Sequence, residues 1–291
     1  MEAGSVNALQ VPNSSGTTKP RLQVPANACD CHMHIYDGGR FPPPRPESRM
    51  QPNACVPDYR QFQQRIGTGR VIVVTPAAYS TDNEVTLDAI AQLGSQARGV
   101  TVVHPTVTDA ELKRMNDAGV RGIRFTQFDP KTATTTMDMI EPLAKRVQSL
   151  GWHVQIHLRN EQIVAAEDLL LRLPGTIVFD HLGRLTPPEG LNHPAFKIIR
   201  RMLDGGRTWM KLSGAYFLGG PPDYPEAAKV AQAYIEAAPE RMVWGSDWPH
   251  PTEKEKPDDA VLFDLLGGWA PDEATRRRIL VDNPAKLYGF E

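Results

Sequence analysis

Eight short, nearly continuous apolar runs, each followed by a stretch of helical character, constrain this chain more than any other feature. They lie at about 28–34, 71–75, 100–104, 120–125, 153–157, 176–181, 208–213 and 241–247. A strand with one wet face alternates apolar and polar residues. A continuous apolar run is buried on both faces and belongs to a parallel sheet covered by helices. Eight βα units in a chain of 291 residues predict a single α/β domain, a (β/α)8 TIM barrel. The alternative, an open doubly wound sheet, usually carries a glycine-rich phosphate turn after its first strand, and none follows residue 34 here.

Helices are expected at about 58–67, with Asp58 as its cap, and at 82–93, 108–118, 137–150, 161–172, 194–204, 225–237, 257–267 and 272–280. Gly119 and Gly151 stop two of them. Residues 1–27 carry little apolar periodicity and are expected to be a flexible N-terminal arm, with 28–291 forming the barrel. The proline-rich stretch 37–57 excludes helix and central strand and falls where a substrate-covering loop would sit; a second polar excursion spans 129–136.

A formal net charge of −2 gives no case for a nucleic-acid or anionic-membrane partner. There is no apolar run long enough for a membrane span and no basic-plus-apolar leader at the N-terminus, which favours a cytoplasmic protein. The three cysteines, Cys29, Cys31 and Cys55, argue against a disulfide framework. Oligomeric state is not readable.

In such a barrel the chemistry sits at the C-terminal ends of the strands. Those ends carry His32 and His34, His104, Arg124, His157, His181, Lys211 and Asp247. Side chains two apart on a strand share a face, so His32 and His34 point the same way and Cys29 and Cys31 fall on the opposite one. Asp247 is the one carboxylate at this polar end and the natural base. Arg124, Arg159, which shares the face of His157, Arg184 and Lys211 make the end cationic, and an arginine fork suits a substrate carboxylate.

These residues fall in motifs. The chain resembles the amidohydrolase superfamily, in its amidohydrolase-2 branch of sugar and aromatic lactone enzymes, over about 26–291. The resemblance rests on Asp30-Cys31-His32-Met33-His34, Arg121-Gly122-Ile123-Arg124-Phe125, Phe179-Asp180-His181-Leu182-Gly183-Arg184, Trp244-Gly245-Ser246-Asp247-Trp248-Pro249-His250-Pro251 and the closing Asn283-Pro284-Ala285-Lys286-Leu287-Tyr288-Gly289-Phe290. It implies a TIM barrel acting on a small carboxylated lactone. The roles implied are Asp247 as base, His32, His34 and His181 as catalytic hydrogen-bonding groups, and Arg124, His157, Arg159, Arg184 and Lys211 as substrate-binding residues. Arg124 stands where a Lys or Glu bridges two metals in the wider superfamily, which disfavours a binuclear centre. No metal is expected to be required; the alternative is one Zn2+ or other divalent ion at His32, His34, His157 and Asp247. Where a relative acting on a flat pyrone has an aromatic residue, this chain has His157. The expected reaction is therefore isomerisation of a carboxylated sugar lactone, D-galactaro-1,5-lactone to the 1,4-lactone. Hydrolysis of a sugar-acid lactone or of 2-pyrone-4,6-dicarboxylate is the alternative.

Overall fold

The computed structural model describes residues 9–128 and 133–291. Its eight strands are β1 (Cys29–Met33), β2 (Arg70–Val74), β3 (Ala97–Thr101), β4 (Val120–Thr126), β5 (His153–His157), β6 (Ile177–Phe179), β7 (Thr208–Leu212) and β8 (Met242–Trp244). All neighbours pair in parallel and in chain order, as a (β/α)8 barrel requires. The helices are α1 (Val56–Ile66), α2 (Glu84–Leu93), α3 (Asp109–Asp117), α4 (Ile140–Gln148), α5 (Asn160–Ala165), α6 (Glu167–Arg172), α7 (Pro194–Asp204), α8 (Pro225–Ala237), α9 (Asp259–Trp269), α10 (Glu273–Arg277) and α11 (Asn283–Tyr288). None of the helices described is long and apolar enough to cross a membrane.

Outward-facing strand residues such as Val71, Val73, Ile123, Phe125, Val154 and Ile156 pack against the helices. Inward-facing Ile72, Val74, Val100, Val178 and Val243 form a second core with Cys29, Cys31 and Trp209, closed at the strands' N-terminal ends by Tyr288 and Phe290. The cysteines therefore do not lie opposite the histidines. The β1–β2 register slips between Asp30 and Met33, adding one residue to β1, so Cys29, Cys31, His32 and His34 all face the barrel interior.

Several boundaries differ from expectation for local reasons. β3 starts three residues earlier than its apolar run because Arg98 and Gly99 belong to it; Ile90 of α2 fills the space where a Cβ on Gly99 would sit, at 2.5 Å. His104 is consequently left in the following loop, bonded to Thr106. Asp58 is not the cap of α1 but its third residue, accepting from the backbone N–H of Cys55, which takes the cap position.

The barrel closes at the seam between β8 and β1, where the main chain supplies few bonds. Asp247 N–H donates to His32 O at 2.8 Å and His34 N–H to Trp248 O at 2.8 Å. Below them a side chain does the joining. Asp30 Oδ1 accepts from Ser246 N at 2.9 Å and His32 N at 3.2 Å, while Oδ2 accepts from Ser246 Oγ at 2.6 Å and Tyr59 at 3.0 Å. The strands approach so closely that a Cβ on Gly245 would stand 2.7 Å from His32 Cβ and 2.9 Å from its nitrogen.

The N-terminal segment is not a free arm from Leu9 onward. Pro12 O accepts from Trp248 Nε1 at 2.8 Å, Asn13 Nδ2 donates to Pro52 O and Asn53 O, and Ser15 N donates to Pro257 O. Arg65 of α1 holds it from beneath through Ser14 Oγ and Thr18 O. Gln51, in the proline-rich loop, bonds Pro251 O and Lys256 Nζ, so that loop is fastened to the chain after β8.

Replacing Asp30 by Ala leaves the N–H groups of Ser246 and His32 unpaired in the core, and urea denaturation is expected to show a loss of about 2–4 kcal/mol. Asp30→Asn costs less, because the hydroxyls of Ser246 and Tyr59 can turn to accept from the amide. Burial raises the Asp30 carboxyl from 3.8 to about 6 against the pull of its four donors. The folded state thus holds the extra proton across that window, and stability falls as pH rises through it. The deficit of Asp30→Asn relative to the unchanged protein is expected to be larger at pH 4 than at pH 7.

Candidate active site

The loops after β1, β6 and β8 converge on Asp247. Its Oδ1 lies 3.6 Å from His32 Nε2, 3.6 Å from His34 Nε2 and 3.8 Å from His181 Nε2. Its Oδ2 accepts from the Tyr216 hydroxyl at 2.5 Å. Asp247 (φ +63°), His181 (φ +50°) and His250 (φ +52°) all adopt left-handed backbone conformations, which cost non-glycine residues roughly 1–3 kcal/mol each and cluster at functional sites. Asp247 is 3 % exposed and His32 not at all. Burial opposes the charge on Asp247, but the surrounding imidazoles hold its carboxyl well below the usual carboxylate range.

Val74 O only accepts, so His34 Nδ1, at 2.7 Å, donates to it. His32 Nε2 lies 3.3 Å from His34 Nε2. His32 Nδ1 sits between two opposite groups, the Lys211 ammonium at 3.2 Å, from which it can accept, and Asp180 Oδ1 at 3.2 Å, to which it can donate. The contacts run from Lys211 through His32 and His34 to Val74. Burial, then the Lys211 charge, push His32 well below its ordinary pKa, keeping it neutral. Lys211 itself is 0 % exposed, with Gln155 Oε1 at 2.7 Å. It lies beneath His32 inside the barrel, not at the mouth where a substrate-binding lysine is expected. Burial lowers it to about 8.

Asp180 forms a second centre. Its Oδ2 accepts from Arg124 Nε at 2.9 Å and Gln155 Nε2 at 3.0 Å; its Oδ1 lies 3.2 Å from His32 Nδ1 and 3.8 Å from Lys211. Burial opposes its charge, yet His32, Arg124 and Lys211 hold it well below the usual range. Arg124, 5 % exposed, is therefore committed first to Asp180, with one nitrogen 3.3 Å from His157 Nδ1. A guanidinium only donates, so His157 Nδ1 accepts and its proton sits on Nε2, which is buried with no partner among the described residues. Burial and Arg124 keep His157 neutral, and burial brings His181 down to about 4. Arg184 is clamped between two rings, 4.0 Å from the centre of Phe128 and 3.7 Å from that of Phe217, and its Nε also lacks a partner among the described residues. Arg159 is exposed at the rim before α5 and does not join this cluster.

Sequence patterning missed Asp180, Gln155, Tyr216 and the buried pair His250 and Asp259. Asp180 and His250 lay inside the quoted motifs, and Gln155 is the inward-facing residue between His153 and His157, a polar break in an apolar run. Tyr216 follows a glycine turn after β7 and carried no signal.

Among the described residues, His32, His181 and Asp247 are placed to share one divalent ion, and His34 Nε2 is a further ligand atom 3.6 Å from Asp247 Oδ1. His32 Nε2, His34 Nε2 and Asp247 Oδ1 form a triangle with edges of 3.3, 3.6 and 3.6 Å, close to the ~3.4 Å expected between tetrahedral ligands of a zinc ion. Both Nε2 atoms can face a cation if the His32 proton sits on Nδ1, where Asp180 Oδ1 accepts it. His157 falls outside this set, in a group with Asp180 and His181 whose neighbour is the Arg124 guanidinium. Removing Asp180 would leave Arg124 and Lys211 facing one another unscreened. Asp180→Ala is expected to lose about 3–5 kcal/mol by calorimetry, more than an exposed ion pair such as Arg114–Glu84 could cost.

The amidohydrolase family model Amidohydro_2 matches residues 29–290. The chain is 34% identical over 283 residues to a 2-pyrone-4,6-dicarboxylate hydrolase of Comamonas testosteroni, covering 93% of each. It is 34% identical over 274 residues to a 4-sulfomuconolactone hydrolase of Rhizobium radiobacter, covering 91% of each. A D-galactarolactone isomerase of Agrobacterium fabrum is 31% identical over 278 residues, 93% of this chain and 94% of that one. The polar end of this barrel, with its paired histidines and strained aspartate, is that of a member of the amidohydrolase-2 family, to which the chain belongs.

Proposed function

We propose that this protein is a lactone isomerase that moves the acyl group of a carboxylated sugar lactone between two hydroxyls of the substrate, D-galactaro-1,5-lactone to the 1,4-lactone. One observation carries the reading. Among the described residues, a buried carboxylate oxygen, Asp247 Oδ1, has no donor nearer than 3.6 Å, and two buried N–H groups at the same end of the barrel, on His157 and Arg184, have no partner. A base and two donors are what acyl transfer at a lactone carbonyl needs.

Asp247 Oδ1 takes the proton of the attacking hydroxyl, and that oxygen bonds to the acyl carbon. His157 Nε2–H and Arg184 donate to the carbonyl oxygen as it becomes an oxyanion. The old ring C–O bond then breaks, and its oxygen recovers the proton from Asp247. One ester bond forms, one breaks, and the proton is conserved. Arg184 supplies positive charge for the substrate carboxylate. The small exposure of Asp247 favours an attacking group already on the substrate over bulk water.

A metal is proposed to be dispensable, because Lys211, Asp180 and Val74 O already partner the two histidines and the Arg184 guanidinium brings positive charge to the site. If an ion binds, His32, His34, His181 and Asp247 would hold it, and it would polarise the lactone carbonyl.

Hydrolysis is the second reading. The Phe128 and Phe217 rings flanking Arg184 suit a planar, unsaturated lactone such as 2-pyrone-4,6-dicarboxylate, and two of the relatives are hydrolases.

Proton NMR of freshly prepared D-galactaro-1,5-lactone with the metal-analysed protein is expected to show the 1,4-lactone ahead of the open diacid, at a rate that survives EDTA. Asp247→Asn should lose roughly 10³-fold in kcat. Direct formation of the diacid would make the protein a hydrolase. Arg184→Leu should raise KM more than it lowers kcat if the guanidinium mainly holds the carboxylate, and lower both kcat and kcat/KM if it mainly meets the oxyanion.

A further inference from the structure

Behind the base lies a buried row of groups that the reaction above leaves unused. The Tyr216 hydroxyl, after β7, is 2.5 Å from Asp247 Oδ2 and 3.1 Å from His250 Nδ1. The other His250 nitrogen, Nε2, is 3.1 Å from Asp259 Oδ2. His250 and Asp259 are both 0 % exposed, and the Tyr216 and His250 rings meet edge to face at 5.4 Å. Asp259 begins α9, and its N–H donates to Ser14 of the N-terminal strap.

The carboxylate of Asp259 can only accept, so His250 presents Nε2–H to it and leaves Nδ1 as an acceptor. Tyr216 then has one proton and two acceptors for it. Burial and the neighbouring Asp247 push its phenol pKa well up, so the proton stays on the hydroxyl.

We propose that Tyr216 and His250 are positioning residues forming a hydroxyl switch: Tyr216 donates to Asp247 while the carboxylate is ionised and turns to His250 Nδ1 once Asp247 has taken the substrate's proton. The inference rests on the reading of Asp247 as base. No bond is made or broken in the switch; the hydroxyl rotates about its C–O bond. Donation to Asp247 holds its rotamer and leaves Oδ1 free. Release to His250 removes a donor that would otherwise oppose protonation of Asp247, without leaving the hydroxyl unpaired. Its return favours handing the proton to the departing oxygen. Asp259 serves by fixing the His250 tautomer, as a carboxylate does behind a catalytic imidazole.

Two measurements test this. The first, ¹⁵N NMR of His250 in the resting protein, needs no substrate. It is expected to show Nε2 protonated and Nδ1 bare; a proton on Nδ1 overturns the switch, since the hydroxyl could not then turn to it. The second is kinetic, on the lactone the unchanged protein turns over. Tyr216→Phe and His250→Leu should each lower kcat roughly 10- to 100-fold, the worth of one charge-assisted hydrogen bond, with little change in KM. His250→Asn, which restores an acceptor facing the phenol, should recover most of the rate. The double variant Tyr216→Phe/His250→Leu should be no slower than either single one, since both remove the same switch. Multiplying losses, or no rescue by Asn, overturn the proposal. A bare Nδ1 with no turnover of any lactone would sink the function and leave the hydrogen-bond assignment standing.

Discussion

The seam between β8 and β1 is the constraint on which the site depends. A parallel barrel must join its last strand to its first, and here only a few main-chain bonds do so. The joint relies on a buried carboxylate with four donors, Asp30, and on a glycine, Gly245, that lets β8 lie against the backbone of His32. Asp247 follows Gly245 by two residues and donates its N–H to His32 O. The separation between the base and the paired imidazoles is therefore set by how the barrel closes, and a fault in the seam is a fault in the site.

The interior of this barrel is unusually charged for a core, and its polar groups come in an order that makes them tolerable. Lys211 lies deepest, Asp180 and Arg124 neutralise one another beside it, and His32 and His34 carry the row of contacts outward to Asp247. Taken singly, each of these charges would be costly to bury; as a network, every charge has a partner. The same order leaves His157 Nε2 and Arg184 Nε without partners among the described residues, at the end of the barrel where Asp247 Oδ1 has no donor nearer than 3.6 Å. The strap from Leu9 and the proline-rich loop hold the segment after β8 from outside, through Pro12 on Trp248 and Gln51 on Pro251.

Strand number, parallel order and the polar end could be seen in the sequence because burial on both faces leaves a continuous apolar run, and the histidines and Asp247 interrupt those runs at their ends. The facing of Cys29 and Cys31 could not, since strict alternation fails across the extra residue in β1. Nor could the depth of Lys211: an inward position near the end of a strand can be a mouth or a floor, and only the partners Gln155 and Asp180 decide which. The N-terminal segment looked unstructured because its fixed points are backbone carbonyls, such as Pro12 O and Thr18 O, which leave no mark in residue type. Asp180 is not legible because an acidic residue before His181 has no spacing that sets it apart, and Tyr216 because a tyrosine in a turn is ordinary.

The most direct test of the account is a crystal structure of Gly245→Ala. The added Cβ has no room at 2.7 Å from His32 Cβ. The account predicts that β8 moves away from β1 and that the separations from Asp247 Oδ1 to His32 Nε2 and His34 Nε2 both lengthen beyond 3.6 Å. If the alanine is absorbed with those two distances unchanged, the seam does not set the site, and the account is wrong at its base.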